Sequence, residues 1–237
     1  MPAPSELPGF LAEGAAGPYQ TIERNLALLA GAPNTATVMG LEGTVAAAWW
    51  NWLGAVLPKH WRFAGRNRRP PRDPVNALLS LSYTLLGVEM LKQVQEDGLD
   101  PALGFLHGIV PGRESLVLDL IEPLRPSADA FVLALLEREL SPRHFTFSHQ
   151  DGCRLNKTGR GLYYQAWATK RNTWPELLPP EEGPAAAVIS IQQHPEAQGQ
   201  EDARIDAISL SGQCRRIART LRNLLDSLIL PGDEIDG

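Results

Sequence analysis

Apolar residues recur three or four positions apart in segment after segment of this 237-residue chain, and that spacing is typical of amphipathic helices. The alternation expected of a strand is weak, and it is confined to a short hairpin around Phe145 to Leu155, which Gln150-Asp151-Gly152 would turn. We therefore assign the chain to the all-α class. The pattern predicts helices from about Tyr19 to Leu29, Leu41 to Leu57, Asp73 to Glu96, Leu116 to Ile121, Ser127 to Leu140, Thr158 to Arg171 and Ala203 to Leu230.

The long helix that starts near Asp73 has clear signals at both ends. Asp73 is a suitable N-cap, Pro74 suits the first turn, and Gly98 suits the C-terminal end. Helical spacing predicts an inward face made of Leu78, Leu81, Leu85, Val88 and Leu91.

Changes of composition divide the chain into four parts. Residues 1–18 are rich in Pro, Gly and Ala, which predicts a disordered segment or a linker, and residues 19–171 form the predicted α-helical domain. Residues 172–202 are rich in Pro, Gly, Glu and Gln without a sustained period, so they predict a long loop or linker. Residues 203–230 predict a C-terminal helix that packs on the domain.

Overall composition excludes several classes of protein. Hydrophobic residues make up 43% and charged residues 21%, and the net charge of −5 gives no overall basic field. No apolar run approaches the ~20 residues of a membrane span, and the first residues lack a secretory pattern. Cys153 and Cys214 follow no metal or redox spacing, so we expect free thiols, a cytoplasmic location and no membrane partner.

Two acids lie in a strongly apolar helix. Asp119 and Glu122 are three residues apart, so they share one helical face among apolar neighbours. Two carboxylates on such a face repel each other and lose hydration unless a cation lies between them. A divalent metal ion meets this need, and so does an arginine such as Arg113 or Arg125.

Two further residues extend this pair to a candidate metal-ligand set. Glu42 stands at the start of an apolar helix, where it would also interact favourably with the helix dipole, and His107 precedes Asp119 in a loop. Together with Asp119 and Glu122 they offer mixed oxygen and nitrogen donors. Such a set suits Mg²⁺ or Mn²⁺ rather than structural zinc, which prefers thiolates or more histidines.

Basic residues are concentrated in two places. The segment KHWRFAGRNRRPPR, from Lys59 to Arg72, holds six Lys or Arg residues and no acid, and four arginines from Arg215 to Arg222 form a second stripe. One interpretation is a solvated loop. The other is a surface for an anionic polymer, because basic groups beside a metal site are what phosphodiester chemistry requires.

Three motifs in this order resemble one known family. MGLEG, GRNRRPPRDPVNALLSLSYTLL and GLDPALGFLHGIVPGRESLVLDLIEPLRP are similar to the catalytic α-helical domain of the CRISPR-associated integrase, the universal subunit of spacer acquisition, from about Thr37 to Arg171. The resemblance implies catalytic residues at Glu42, His107, Asp119 and Glu122. Of these, Glu42, His107 and Glu122 would bind Mg²⁺ or Mn²⁺, and Asp119 would support them. We expect nucleic-acid contacts from Arg66, Arg68, Arg69, Arg72, Arg113 and Arg125.

The resemblance also implies an activity and partners. The expected activity is that of a metal-dependent DNA integrase and endonuclease, in which a 3′-hydroxyl group attacks a phosphodiester of the repeat array. The expected partners are double-stranded and branched DNA, a small ferredoxin-like subunit and a second copy of the chain. The sequence departs from the family in two ways: nothing before Glu42 can form the usual N-terminal β domain, and Pro123 interrupts a helix. The alternative is therefore a catalytically silent DNA-binding remnant with weakened dimerisation.

Overall fold

The computed structural model describes residues 1–2, 7–8, 11, 16–175 and 209–228. Short 3₁₀ turns at Lys59–Trp61, Glu122–Leu124 and Pro142–His144 interrupt the connections between the main elements. In chain order these elements are α1 (Ala16–Leu29), α2 (Thr35–Val56), α3 (Pro74–Glu96), α4 (Ser115–Ile121), α5 (Arg125–Arg138), β1 (Phe145–Ser148), β2 (Gly152–Leu155), α6 (Lys157–Lys170) and α7 (Leu210–Leu228). The described part of the chain is thus helical apart from one hairpin, which confirms the all-α class.

The chain divides into two compact units. The first consists of Met1–Leu86 and Leu124–Ala168, and the second consists of Gly87–Pro123 and Thr169–Gly237. Each contains elements that are distant in sequence, because the chain leaves the first unit within α3 and returns to it just before α5.

Aromatic side chains form the core of the first unit where α5 and α6 meet. Phe131 lies edge-on to Trp167, with ring centroids 5.5 Å apart, and Tyr163 stacks on Trp167 at 6.2 Å. The buried Tyr163 hydroxyl group is satisfied by Ser82 at 2.8 Å. Burial of rings this large is a main source of hydrophobic stabilisation, and the hydroxyl pair removes the cost of an unsatisfied polar group.

In the second unit, hydrogen bonds join α7 to the end of α3 and to the segment after α6. Arg222 Nη1 donates to the carbonyl oxygen of Asp97 at 3.0 Å, and the Leu210 amide donates to the carbonyl oxygen of Arg171 at 2.7 Å. Cys214 and Ala218 are buried on the inner face of α7. The C-terminal helix was predicted from residue 203 to residue 230, and residues 203–208 and 229–230 lie outside the described residues. Most of the predicted loop at 172–202 lies outside them as well.

Several predicted boundaries are confirmed. Asp73 Oδ1 accepts a hydrogen bond from the Asn76 amide at 2.9 Å, as an N-cap does, and Gly98 ends α3 with a φ of +69°. The hairpin pairs Phe145 with Leu155, and Gly152 takes a φ of +72° at its turn.

Two predictions about helices are wrong. The helix expected from Leu41 starts at Thr35, because Asn34 caps it by accepting from the Thr37 amide at 2.9 Å. The predicted inward face of α3 is rotated: Val88 is 61% exposed, and Leu78 is the only one of the five predicted residues in the buried core. Apolar residues occur on several faces of α3, so the spacing of these five did not identify the buried face. That face is formed by Val75, Leu78, Leu79, Leu86, Met90 and Val94.

One described helix, α3, is long and apolar enough to cross a membrane by length and composition. The protein itself buries 44% of that stretch.

Candidate functional site

The carboxylate of Asp119 organises the loop that carries His107. Its side chain is fully buried in α4, where Oδ2 accepts hydrogen bonds from the amides of Phe105 at 2.6 Å and Leu106 at 2.9 Å. Oδ1 accepts from the His107 amide at 3.0 Å and also contacts the His107 ring nitrogen Nδ1. Both oxygens are thus engaged. Donation to the ionised carboxylate offsets the cost of burying it, so an arginine or a metal ion is not required for Asp119 itself.

The same contact sets the state of the imidazole ring. An ionised carboxylate only accepts hydrogen bonds, so Nδ1 of His107 carries the proton that lies between the two groups. In the neutral ring Nε2 then has a lone pair. An imidazole oriented by a carboxylate in this way is the usual arrangement of a metal-binding histidine. The His107 side chain is 29% exposed, so it remains accessible to solvent.

Gly104 lets the loop come this close to α4. A Cβ atom at this position would lie 2.6 Å from the His107 carbonyl oxygen and 2.8 Å from both Asp119 Oδ2 and the Ser115 Cβ. No side chain fits in that space without displacing the backbone of the loop. The glycine of the GFLH motif is therefore required by close approach.

Glu122 lies at the point where α4 changes into a 3₁₀ turn. Its amide donates to the Asp119 carbonyl oxygen, and Pro123, which has no amide hydrogen, follows inside the turn. Glu122 is half-buried and three residues after Asp119. Arg113, one of the two arginines considered as a partner for these acids, donates to the Gly108 carbonyl oxygen at 2.5 Å and to Ser115 Oγ at 3.2 Å.

Glu42 is exposed in the third turn of α2, because that helix starts seven residues earlier. The interpretation of Glu42 as a first-turn acid that interacts with the helix dipole is therefore wrong. Glu42 belongs to the first unit, whereas His107, Asp119 and Glu122 belong to the second. Within the described residues no group of three or more His, Cys, Asp or Glu side chains is arranged to hold a metal ion, so the complete ligand set stays a prediction.

Asn76 anchors the arginine-rich loop, which comprises residues 65–72. This fully buried amide in the first turn of α3 donates to the Gly65 carbonyl oxygen at 2.9 Å and to Asp73 Oδ2 at 2.7 Å. Its Oδ1 accepts from the Asn67 amide at 2.9 Å and from Arg66 Nη1 at 2.8 Å. The loop is thus fixed at its first half, and four polar atoms converge on one side chain.

The four arginines within residues 65–72 fall into two groups. Arg66 is half-buried and also bonds to Ser80 Oγ at 3.3 Å, and burial lowers the pKa of its guanidinium group. Arg68, Arg69 and Arg72 are exposed. Arg66 therefore supports the fold of the loop, whereas the other three present charge to solvent.

A polar cluster around the buried Asp129, beside this loop, was not predicted from the sequence. The guanidinium carbons of Arg66 and Arg125 lie 5.5 and 5.0 Å from the centroid of the Tyr83 ring, and the Tyr83 hydroxyl group bonds to Asp129. The sequence feature that could have indicated this cluster is the position of Tyr83 and Asp129 within mainly apolar helices. These residues are 46 positions apart, so spacing did not bring them together.

The family of the chain follows from comparison with known proteins. A family model described as "CRISPR associated protein Cas1" matches residues 13–169. This match covers more than half of the 237 residues, and the chain belongs to the Cas1 family.

Curated relatives agree with this assignment. The chain is 39% identical over 142 residues to CRISPR-associated endonuclease Cas1 1 of Thermodesulfovibrio yellowstonii, a match that covers 58% of this chain and 45% of the relative. It is 37% identical over 165 residues to CRISPR-associated endonuclease Cas1 3 of Thermus thermophilus, covering 69% and 49% respectively. The chain thus spans about half the length of the curated relatives it matches.

Solved structures share the fold. A casposase bound to integration product superposes with a TM-score of 0.63 at 24% identity, covering 91% of this chain and 56% of that one. A Cas6-RT-Cas1–Cas2 complex gives a TM-score of 0.71 at 19% identity, covering 91% of this chain and 21% of that one. At these identities the similarity concerns the fold alone.

Proposed function

We propose that this chain is a metal-dependent DNA integrase and endonuclease of CRISPR adaptation. In the proposed reaction the 3′-hydroxyl oxygen of incoming DNA forms a bond to a phosphorus atom at the end of a repeat. The bond from that phosphorus to its original 3′-oxygen breaks, so one phosphodiester replaces another. The relatives named as endonucleases and the casposase bound to integration product support this class of reaction.

The observation that carries the proposal is the Asp119–His107 contact. Asp119 contacts Nδ1 and fixes the ring, and with the proton on Nδ1 the lone pair of Nε2 would be available to a metal ion. The same carboxylate holds the backbone of three consecutive loop residues. A histidine held only for structural reasons would not need a ring that is oriented by a carboxylate and still partly exposed.

Glu42, His107 and Glu122 would hold Mg²⁺ or Mn²⁺, with Asp119 as the supporting residue. Two carboxylates and one imidazole are donors that suit these ions. When bound, such an ion supplies charge stabilisation at the attacking and leaving oxygens. Asp119 would keep His107 in one orientation, and Glu122 would supply a carboxylate from the 3₁₀ turn that follows α4.

The substrates proposed are double-stranded and branched DNA. Exposed Arg68, Arg69 and Arg72 would contact phosphates, and Arg66 would hold the loop in shape, with Arg113 and Arg125 as further contacts. The Cas1–Cas2 complex among the structures of the same fold supports a small ferredoxin-like partner subunit. We also propose a homodimer and a cytoplasmic location, where the CRISPR array is accessible.

Nicking of a branched DNA by the purified chain tests this proposal. We expect cleavage that requires Mn²⁺ or Mg²⁺ and is lost in Glu42→Ala. Glu114→Ala is the matched control, because Glu114 is an exposed acid whose side chain makes no capping hydrogen bond. DNA binding without nicking in the wild-type chain would instead favour a catalytically silent DNA-binding protein.

A further inference from the structure

Exposed apolar side chains are concentrated in the loop that carries His107. Leu103 is 55% exposed, Phe105 54%, Ile109 67% and Val110 43%, all within eight residues. Single exposed apolar residues are common on protein surfaces, but several in one short segment point to a contact surface. We call these four side chains the apolar loop surface.

The apolar loop surface is held in one conformation. Asp119 accepts hydrogen bonds from the amides of Phe105 and Leu106. Ser115 Oγ and Arg113 Nη2 both donate to the Gly108 carbonyl oxygen. These hydrogen bonds fix the loop before and after His107. A surface ordered in advance loses little conformational entropy when it binds a ligand.

The charge of this segment favours a DNA ligand. From Pro101 to Arg113 the sequence contains no acid, and it ends in an arginine whose guanidinium group is held against the loop. A polyanion can therefore approach without repulsion from the loop itself. Nucleobases present flat faces that stack on exposed aromatic rings, and Phe105 is the aromatic residue of this surface, two positions before His107.

We propose that Phe105 stacks on an unpaired nucleobase of the DNA strand processed at His107, with the neighbouring aliphatic side chains excluding water from that base. This inference rests on the proposed function and adds a substrate requirement. The preferred DNA has an unpaired nucleotide next to the reacting phosphodiester. A base that remained in a duplex would keep its faces covered by its neighbours.

Binding of DNA that carries 2-aminopurine tests the proposal without any chemical step. The fluorescent base is placed unpaired at the branch of a flap DNA, and a duplex with the same base paired is the comparison, both in EDTA. We expect quenching on flap DNA with wild type and Phe105→Tyr. Phe105→Ala should abolish the quenching and weaken flap binding by about 5- to 150-fold, the equivalent of 1–3 kcal/mol per stacked base. Duplex binding should change little.

Phe147→Ala is the matched control, because Phe147 is an exposed phenylalanine at 51% that lies in the hairpin. Equal effects of Phe105→Ala on flap and duplex DNA, or no effect on either, would overturn the stacking proposal. The proposal would also be overturned if Phe105→Ala lost self-association in sedimentation but kept the quenching, since the surface would then bind a second copy of the chain. Metal-dependent nicking, measured separately, reports on the proposed function. A wild-type chain that neither binds nor nicks flap DNA would overturn both proposals.

Discussion

The hydroxyl group of Tyr83 donates a hydrogen bond of 2.5 Å to Oδ1 of Asp129, a carboxyl group buried within α5. Burial raises the pKa of Asp129 to about 6 from 3.8. The hydrogen bond from Tyr83, the N-terminal amino group and the guanidinium groups of Arg66 and Arg125 oppose this rise, but loss of hydration is the larger effect. The pKa of Tyr83 is also raised, first by burial and then by Asp129.

The raised pKa of Asp129 predicts a specific dependence of stability on pH. The folded state binds this proton more tightly than the unfolded state, so the contribution to stability is full below about pH 3.8 and is lost as pH rises through about 6. The loss amounts to about 3 kcal/mol in the free energy of unfolding. Urea denaturation at pH 4 and pH 7 gives the free energy of unfolding of wild type and of Asp129→Asn. The stability of wild type relative to the variant should be greater at pH 4 than at pH 7. A difference independent of pH would contradict the assignment.

Substitution of the proposed ligands should separate catalysis from binding. We expect Glu42→Ala, His107→Ala and Glu122→Ala each to reduce strand transfer by about 100-fold or more, because ligands act on charge that develops in the transition state. DNA affinity should be little changed, since it depends mainly on cationic side chains. Strand-transfer assays and binding titrations on the same preparations provide both measurements. Near-normal activity of His107→Ala would show that this histidine is structural.

Asp119→Asn should weaken the fold as well as activity. Asparagine keeps one acceptor oxygen and replaces the other with an NH₂ donor. Either the Phe105 and Leu106 amides or the His107 amide would therefore lose their acceptor and face a donor instead. We expect the free energy of unfolding to fall by about 1–3 kcal/mol. Glu114→Gln, at an exposed acid in the same segment, should change it by less than about 0.5 kcal/mol. Equal stabilities of the two variants would rule out the supporting role of Asp119.

The arginine-rich loop should bind DNA without regard to sequence. Arg68 and Arg69 are exposed, so their double replacement by alanine should remove two bonds to phosphate and leave the fold intact. The slope of log K against log salt should become shallower by about 0.7–0.9 for each phosphate that the variant no longer binds. Titrations at several salt concentrations measure this slope, and replacement of the exposed Arg138 and Arg143 is the control. An unchanged slope would leave the basic stripe of α7 as the better candidate.

Local signals explain how much of the fold the sequence predicted. The start of α3 depends on Asp73 and its end on Gly98, and both act within a few residues, so both were predictable. The start of α2 was missed because Asn34 lies in a segment rich in Gly, Pro and Asn that resembles a connection. The buried face of α3 depends on which helices pack against it, and spacing within one helix does not contain that information.

The candidate site shows the same limit. Residue chemistry brought the four proposed catalytic residues together as a candidate metal-ligand set, and the resemblance to a family gave them their roles. The sequence alone left an arginine or a metal ion as the partner of Asp119. The structure adds that Asp119 is saturated by amides and by His107, which are 12 to 14 positions away. Such hydrogen bonds depend on the path of the loop, which Gly104 permits through its close approach to α4.

The three amides held by Asp119 have a consequence for the order in which the site forms and opens. Phe105, Leu106 and His107 cannot complete their hydrogen bonds until α4, later in the chain, has packed. Their amide hydrogens should therefore exchange with solvent through the same opening event as those of α4, although a surface loop would normally exchange much faster. The histidine loop and α4 would then behave as one cooperative unit, so that the apolar loop surface and the imidazole orientation are present together or absent together.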